Sequence, residues 1–297
     1  MAQILVIGAT GTVGRQVVSQ LVAKGAKVRA MVRNPAVARL PAEVEVLRGD
    51  LTIPETLASC LASVETVFLV WTAPPGAVDA ALQRITTRTH RVVLLSAPLK
   101  TQHPLFQQPN LLRTMFEQIE QLIVSSGVQW TILRPGMFAA NALNWWAPQI
   151  RAGDRVSGSV LTDPELNVVR WPYLDVPTAP IDERDIAAVG VRALTEDTHD
   201  GAEYVLTGPE SLTHREQIAT IGRVIGRKLR IEELSPEEAL RDGLPSVPPP
   251  AVNMLLNAWS AAAGHPAYLS STYLQVTGTA AGTFQQWAAD HAAEFRA

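Results

Sequence analysis

The stretch "GATGTVGR" constrains the fold of this chain more than any other feature, because it joins a short β-rich run to an amphipathic helical run. Its glycines, Gly8, Gly11 and Gly14, are spaced three residues apart. In a strand–turn–helix unit, the first makes the tight turn, the second lets a pyrophosphate approach the backbone, and the third lets the helix pack on the strand. The free N–H groups of the first helical turn then face the phosphates. The spacing therefore predicts a dinucleotide-binding turn.

The rest of the first half alternates β-rich runs with helical patterns. Near-continuous apolar runs, which are typical of strands covered on both faces, occur at residues 3–9, 27–33, 44–50, 66–71, 91–97 and 130–136. Helical patterns separate them, most clearly at 13–24, 54–62, 77–88 and 110–126. This alternation predicts an α/β fold, with a Rossmann-type doubly wound parallel sheet.

The pattern changes after Gly136. A helical run is followed by a Pro-rich, aromatic segment at 157–180, which we expect to be a functional loop. A helix then begins near Asp182 or Glu183, a strand follows at "AEYVLTG", and a helix capped by Thr213 comes next. We predict a Rossmann domain at 1–156, to which 181–210 return. The loop and residues 211–297 would form a smaller, mostly helical subdomain on the substrate side.

Composition excludes several classes of function. The formal net charge of −3 gives no electrostatic footprint for nucleic acid. The apolar runs are far shorter than the ~20 residues that span a bilayer, so no membrane partner is expected. The N-terminus lacks the features of a signal peptide, and the single cysteine, Cys60, permits no internal disulfide. These features predict a cytoplasmic protein. The scattered histidines predict no metal site.

Arg33 indicates which nucleotide the turn binds. An NAD-binding unit usually carries an acidic residue about 20 residues beyond the glycines, on the ribose 2′-hydroxyl. Here the second strand ends "AMVRNP", so Arg33 occupies that place. A guanidinium forks onto a 2′-phosphate that an acid would repel, which favours NADP(H). The alternative is a solvated strand end. Asp50, after the third strand, is expected either to contact adenine or to cap the next helix.

Further cofactor contacts are predicted at the carboxyl ends of the strands, the edge where open α/β sheets bind ligands. The predicted cofactor-binding residues are Gly8, Thr10, Gly11, Thr12, Val13, Gly14, Arg33, Asp50, Leu51, Trp71, Thr72, Ser96 and Pro135.

Taken in order, several motifs resemble the NmrA-like family of atypical short-chain dehydrogenase/reductases. They are "VIGATGTVG", "AMVRNP", "GDL", "IEQLIVSSGVQWTILRPGMFAAN" and "APIDERDIAAVGVRAL". The closing "YVLTGPESLT" and "VTGTAAGTFQQWAADHAAEF" resemble the branch of NAD(P)H azoreductases and quinone reductases. The resemblance covers nearly the whole chain. It implies NADP(H) binding and a cleft between the Rossmann domain and a small C-terminal lobe. The family includes both reductases and cofactor-sensing regulators without catalysis, so it implies no particular substrate.

The Tyr-x-x-x-Lys pair of ordinary short-chain reductases is absent. With Glu120 as the anchor, its two places fall at Leu112 and Phe116, and none of the four tyrosines has a lysine four residues on. This argues against chemistry in which a tyrosine of lowered pKa transfers the proton. No catalytic residue is assigned from the sequence.

A flat aromatic guest would suit an apolar pocket with few polar groups. The segment "RPGMFAANALNWW" and the later loop supply the predicted substrate-binding residues, Phe138, Asn141, Trp145, Trp171 and Tyr173. The alternatives are that Phe138 and the tryptophans are core residues and that Asn141 caps a turn. Tyr173 is considered as a proton donor on a lid.

Two functions are compatible with these residues. The first is an NADPH-dependent oxidoreductase that reduces quinone-, azo- or dye-like aromatic acceptors by direct hydride transfer. The second is a non-catalytic NADP(H) sensor that acts through a protein partner. The aromatic residues after Pro135 favour the enzyme, because a sensor needs no second pocket.

Overall fold

The computed structural model describes residues 3–155 and 168–296. Its strands are β1 (Gln3–Ile7), β2 (Lys27–Val32), β3 (Glu45–Arg48), β4 (Val64–Val70), β5 (Arg91–Leu95), β6 (Gln129–Pro135), β7 (Val168–Trp171), β8 (Pro177–Thr178), β9 (Ala202–Leu206), β10 (Leu212–Thr213) and β11 (Arg230–Glu233). Its helices are α1 (Thr12–Ala23), α2 (Leu57–Cys60), α3 (Val78–Thr86), α4 (Leu111–Ser125), α5 (Asn141–Trp145), α6 (Ala147–Arg155), α7 (Glu183–Thr195), α8 (His214–Ile225), α9 (Pro236–Asp242), α10 (Pro249–Ala262), α11 (Thr272–Thr277), α12 (Phe284–Asp290) and α13 (Ala292–Arg296).

The central sheet has seven parallel strands in the order β3-β2-β1-β4-β5-β6-β9. The strand order reverses beside β1, where the chain crosses from β3 to β4. In open sheets, the crevice at such a reversal is the usual ligand site, outside the carboxyl ends of the strands. The prediction of a Rossmann-type doubly wound sheet is confirmed.

Helices cover both faces of this sheet. On one face, α1 and α7 pack against each other and bury residues such as Val17 and Ile186. On the other face, α2, α3 and α4 bury residues such as Leu57, Ile85 and Ile119. Because both faces are buried, the strands carry apolar residues almost continuously, as β4 does with "VETVFLV".

A third core lies in the C-terminal lobe, and it includes side chains from the segment after β6. Trp146 and Ile150 pack in the same cluster as Ile221 of α8, Trp259 of α10 and Trp287 of α12. The segment of α5 and α6 was predicted to belong to the Rossmann domain, but its apolar side chains pack with the lobe.

The predicted loop at 157–180 also differs from the structure. Residues 168–171 form β7, which pairs in parallel with β11 about sixty positions later in the chain, and β8 pairs with β10. Residues 157–167 of the predicted loop lie outside the described residues. Local proline and aromatic content indicated a loop, whereas long-range pairing stabilises short strands that a local pattern does not reveal.

The described residues contain neither a membrane-spanning helix nor a cluster of metal-binding side chains. None of the described helices is both long and apolar enough to cross a membrane. In residues 3–155 and 168–296, no three His, Cys, Asp or Glu side chains converge in a way that would hold a metal ion.

Candidate functional site

The glycine turn has the geometry of a phosphate cradle. Gly8 adopts φ +82°, a left-handed conformation that favours glycine. A side chain on Gly14 would place its Cβ 2.1 Å from the Gly8 carbonyl oxygen, so only glycine allows this approach of α1 to the turn. Gly11 is the N-cap of α1 and provides no side-chain cap, which leaves N–H groups of the first helical turn for an anion. Thr10, Gly11 and Thr12 are exposed there, whereas Val13 is buried beneath them.

A basic cavity of about 530 Å³ lies at the carboxyl ends of β2 and β3. Arg33 and Arg48 both line it, and both side chains are exposed. Val32, which directly precedes Arg33, is the register partner of Arg48. The two arginines therefore lie at the adjacent ends of β2 and β3. Sequence reasoning found Arg33 but missed Arg48. The available signal was a second basic residue at the end of the next strand.

Asp50 lines the same cavity, and its side chain is held by the chain that follows it. Its Oδ1 accepts hydrogen bonds from the Thr52 backbone N–H at 2.8 Å and the Thr52 hydroxyl at 2.7 Å. The Thr52 backbone bond is the main cause that lowers the pKa of Asp50 below its usual value. Asp50 is thus a fixed acceptor at the wall of the basic cavity.

Three further predicted cofactor residues differ in whether their side chains are available to a ligand. Leu51 is 2% exposed and packs in the core with Leu57, so its side chain is not available to a ligand. The indole Nε1 of Trp71 donates to the Ala73 carbonyl at 2.7 Å, which fixes the ring at the end of β4. Thr72, beside it, is exposed. Trp71 and Thr72 therefore form the edge of the sheet beside the glycine turn.

Ser96, just after β5, belongs to a buried ionic network. Its Oγ lies 2.5 Å from Glu120 Oε1, and Arg134 donates to both oxygens of Glu120 at 2.7 Å. Arg134 is 0% exposed, and it also donates to Glu203 and to the Ala97 carbonyl. A carboxylate paired with arginine only accepts hydrogen bonds, so Ser96 must be the donor. The Ser96 hydroxyl oxygen, at the carboxyl end of β5, can then only accept further hydrogen bonds.

The places of the missing Tyr–Lys pair are filled by apolar side chains. Leu112 is 49% exposed on the first turn of α4, and Phe116 packs against the core beneath that helix. Neither carries a proton that could be transferred. Pro135, which ends β6, is buried.

An apolar cavity of about 170 Å³ opens beside the ends of β5 and β6. Its walls come from three separate segments: the chain after β5, the turn after β6, and α10. The lining residues are Ala97, Pro98, Leu99, Leu105, Phe106, Gln108, Asn110, Arg113, Gly136, Met137, Met254, Leu255, Ala258 and Trp259. Sequence reasoning missed α10 and the 97–113 segment, because no local motif connects them.

None of the five predicted substrate-binding residues is among those that line this cavity. Trp145 and Trp171 are buried in the lobe core and stack at 5.1 Å between ring centroids. Phe138 is half-buried and bridges to Ile181. Asn141 begins α5, and Tyr173 packs against the lobe core with φ +53°. The core alternative for the tryptophans therefore describes their placement in this structure.

The tryptophans contribute to the cavity indirectly. The ring of Trp145 meets Trp259 edge-on at 5.8 Å between centroids, and Trp171 meets Trp259 at 5.6 Å. Behind them, the His214 ring lies 5.0 Å from Trp259. Aromatic packing of this kind fixes a ring in place. Trp259 is the member of the cluster that lines the cavity, and the others hold it there.

The three parts of the site lie in order along one edge of the sheet. The basic cavity is at β2 and β3, the glycine turn is at β1, and the apolar cavity is at β5 and β6. With strands about 4.8 Å apart, three spacings separate β2 from β5 by about 14 Å. An extended dinucleotide bound with its adenosine at the basic cavity would cross the glycine turn and direct its nicotinamide towards the apolar cavity.

The amino-acid sequence is similar to known reductases along its length. The chain matches the family model described as NAD(P)H-binding over residues 8–197. It is 37% identical to a (4-alkanoyl-5-oxo-2,5-dihydrofuran-3-yl)methyl phosphate reductase of Streptomyces griseus, across 98% of this chain and 99% of that protein. It is 33% identical to an NAD(P)H azoreductase of Xenophilus azovorans, across 99% of each.

The fold is shared with a solved reductase. An NADPH-dependent quinone oxidoreductase from Escherichia coli superposes with a TM-score of 0.75 at 23% identity, covering 97% of this chain and 98% of that one. At this identity the similarity shows a common fold, in which the glycine turn, the sheet edge and the helical lobe are arranged together.

Proposed function

We propose that this chain, which belongs to the NAD(P)H-binding family and is an oxidoreductase, uses NADPH to reduce a compact, conjugated aromatic or carbonyl acceptor. The observation that carries this proposal is the apolar cavity beside the ends of β5 and β6. It lies where a nicotinamide would point, and its walls suit a flat ring.

The size of the cavity narrows the range of acceptors considered above. Pockets for drug-sized ligands typically measure about 300–1,000 Å³, whereas this cavity measures about 170 Å³. One- or two-ring acceptors such as quinones fit this volume better than extended azo or triphenylmethane dyes. The substrate in the name of the Streptomyces griseus relative also contains a conjugated carbonyl group, on an oxo-dihydrofuran ring.

NADPH is proposed over NADH because of the basic cavity. Arg33 and Arg48 present two guanidinium groups where the ribose of an adenosine would lie. Charge-assisted hydrogen bonds from arginine to phosphate are roughly twice as strong as neutral ones. A 2′-phosphate is the group that these side chains would bind.

When bound, NADPH supplies the hydride. The chain contributes orientation: the Glu120–Arg134 pair holds Ser96 with its oxygen lone pairs free, so that Ser96 would accept a hydrogen bond from a hydroxyl or amide of the bound cofactor. Ser96 is not a proton donor in this arrangement. We propose that the reduced acceptor takes its proton from water, which suits acceptors whose reduced anions are stable.

The sensor remains the second hypothesis, and it makes a different prediction. A sensor would bind NADPH through the same glycine turn and arginines without turnover. The apolar cavity favours the reductase, because binding of the nucleotide alone requires no second pocket of this kind.

The test is oxidation of NADPH by purified protein, followed by absorbance. A naphthoquinone, a benzoquinone and an azo dye are compared as acceptors, and NADH is run in parallel. Protein-dependent turnover of a quinone that is faster with NADPH than with NADH is the expected result. Tight NADPH binding without turnover of any acceptor would overturn the reductase and support the sensor.

A further inference from the structure

We infer that Arg113 makes the apolar cavity selective for acceptors that carry an oxyanion, such as a carboxylate, a sulfonate or a phosphate ester. This inference rests on the proposed function, since it names the class of acceptor for the same cavity. It concerns a residue that the sequence motifs did not identify.

Arg113 is held in place by the wall of the cavity itself. Its Nη1 donates to the Leu99 carbonyl and its Nη2 donates to the Phe106 carbonyl, each at 2.9 Å. Leu99 and Phe106 both line the cavity together with Arg113. The guanidinium is therefore fixed before any ligand arrives, so that a ligand does not have to order this long side chain on binding.

The protein uses only part of the hydrogen-bonding capacity of this guanidinium. The two carbonyl bonds use two of its five N–H groups. Its acidic neighbour is Glu117, 3.5 Å away on the next turn of α4, and the side chain of Glu117 is 54% exposed. Solvent-exposed pairs of this kind contribute little to stability. N–H groups of the guanidinium therefore remain for a ligand in the cavity.

The other polar groups of the cavity are amides. Asn110 caps α4 through its side-chain oxygen, which accepts from the Leu112 N–H at 2.8 Å, and that bond leaves its NH₂ group uncommitted. Gln108 lines the same side of the cavity, and no Asp or Glu is among the described lining residues. A fixed cation beside amide donors, with apolar walls opposite, favours a ligand with a flat apolar body and an anionic arm.

A purely structural role for Arg113 makes a different prediction. If Arg113 only braces the chain between Leu99 and Phe106, its loss should weaken every acceptor to the same extent. If it binds an anionic arm, its loss should act on charged acceptors selectively. The preference for an anionic over a neutral acceptor therefore separates the two roles.

The experiment compares a naphthoquinone with the same naphthoquinone carrying a ring sulfonate. For the intact protein, we expect kcat/KM to favour the sulfonate by about 10- to 100-fold, the range expected for a hydrogen-bonded charge pair. Arg113→Gln should abolish this ratio, and Arg113→Lys should restore part of it. Arg88→Gln, which removes an exposed arginine outside the cavity, should retain it. An unchanged ratio in Arg113→Gln would overturn the inference.

A binding measurement separates this inference from the proposed function. Naphthalene sulfonate and naphthyl alcohol are titrated against the tryptophan fluorescence of the NADPH-bound protein, since Trp259 lines the cavity. Tighter binding of the sulfonate that is lost in Arg113→Gln supports the anion site, even if no quinone is reduced. Equal binding of both compounds refutes the site, even if quinones are reduced.

Discussion

The nucleotide edge and the apolar cavity differ in how they are built. The nucleotide edge uses residues that follow strand ends, and it presents exposed polar groups such as Arg33 and Arg48. The cavity joins the chain after β5 to α10, which lies about 150 positions later, and its lining is mostly apolar. Binding at the first depends on backbone geometry and charge, and binding at the second depends on packing of the lobe. We therefore expect substitutions at the two places to separate cofactor binding from acceptor binding.

The largest effect is expected at the glycine turn. In Gly14→Ala, the added Cβ would collide with the Gly8 carbonyl, so α1 must move away from the phosphate cradle. We expect NADPH affinity to fall by more than about 1,000-fold, since several charge-assisted hydrogen bonds are lost together. NADPH fluorescence titration measures this loss. Gly76→Ala is the matched control, because nothing lies within 4 Å of its added Cβ. An affinity within threefold of the parent protein would refute the cradle.

The second-largest effect is expected at the basic cavity. Arg33→Glu combined with Arg48→Glu replaces two cations with two anions beside the 2′-phosphate. We expect kcat/KM for NADPH to fall by about 1,000-fold, because each phosphate contact is worth about 1.5–3 kcal/mol. The value for NADH should change far less. Arg39→Glu, an exposed arginine outside the cavity, serves as the control. A parallel fall with both nucleotides would contradict the proposed 2′-phosphate site.

The third effect concerns the stability of the aromatic core behind the cavity. Complete burial lowers the pKa of His214 from 6.5 to about 4, and its Nδ1 hydrogen-bonds the Tyr173 carbonyl. The unfolded chain therefore binds this proton more readily than the folded protein. The contribution to the free energy of unfolding is complete above pH 6.5 and falls, by about 3 kcal/mol, as the pH drops towards 4.

Urea unfolding across this pH range measures the contribution of His214. His214→Gln cannot titrate, so its free energy of unfolding should decline less steeply than that of the parent protein between pH 6.5 and 4. His90→Gln, at an exposed histidine, should keep the parent slope. If His214→Gln and the parent protein have the same slope, the buried imidazole is not the group that titrates.

The smallest effect is expected inside the cavity. Met254→Trp should fill part of the about 170 Å³ space and lower kcat/KM for a quinone by about 10-fold, because overpacking costs roughly 1–3 kcal/mol. NADPH affinity should stay within about twofold. Asn253→Trp, on the exposed side of α10, is the matched control. A loss of NADPH affinity without loss of quinone turnover would place the acceptor elsewhere.

Local patterns predicted the strands and the turn that frame the nucleotide edge. The six strands and the glycine turn were predicted because strand burial and helix starts depend on neighbouring residues. The predicted substrate-binding residues followed the same local logic, and none of them lines the apolar cavity. Trp145 follows β6 in the sequence and Trp171 ends β7, but long-range packing buries both side chains in the lobe core.

The sequence by itself determined the Rossmann sheet, the phosphate turn and the absence of a Tyr–Lys pair, since each depends on residues close together in the chain. Only the tertiary structure decided which side chains line the apolar cavity and which way the Ser96 hydroxyl donates. Those properties depend on contacts between distant segments, such as Ser96 with Glu120 and Arg134, or the 97–113 segment with α10. No local pattern encodes such contacts, because packing selects them from many compatible pairings.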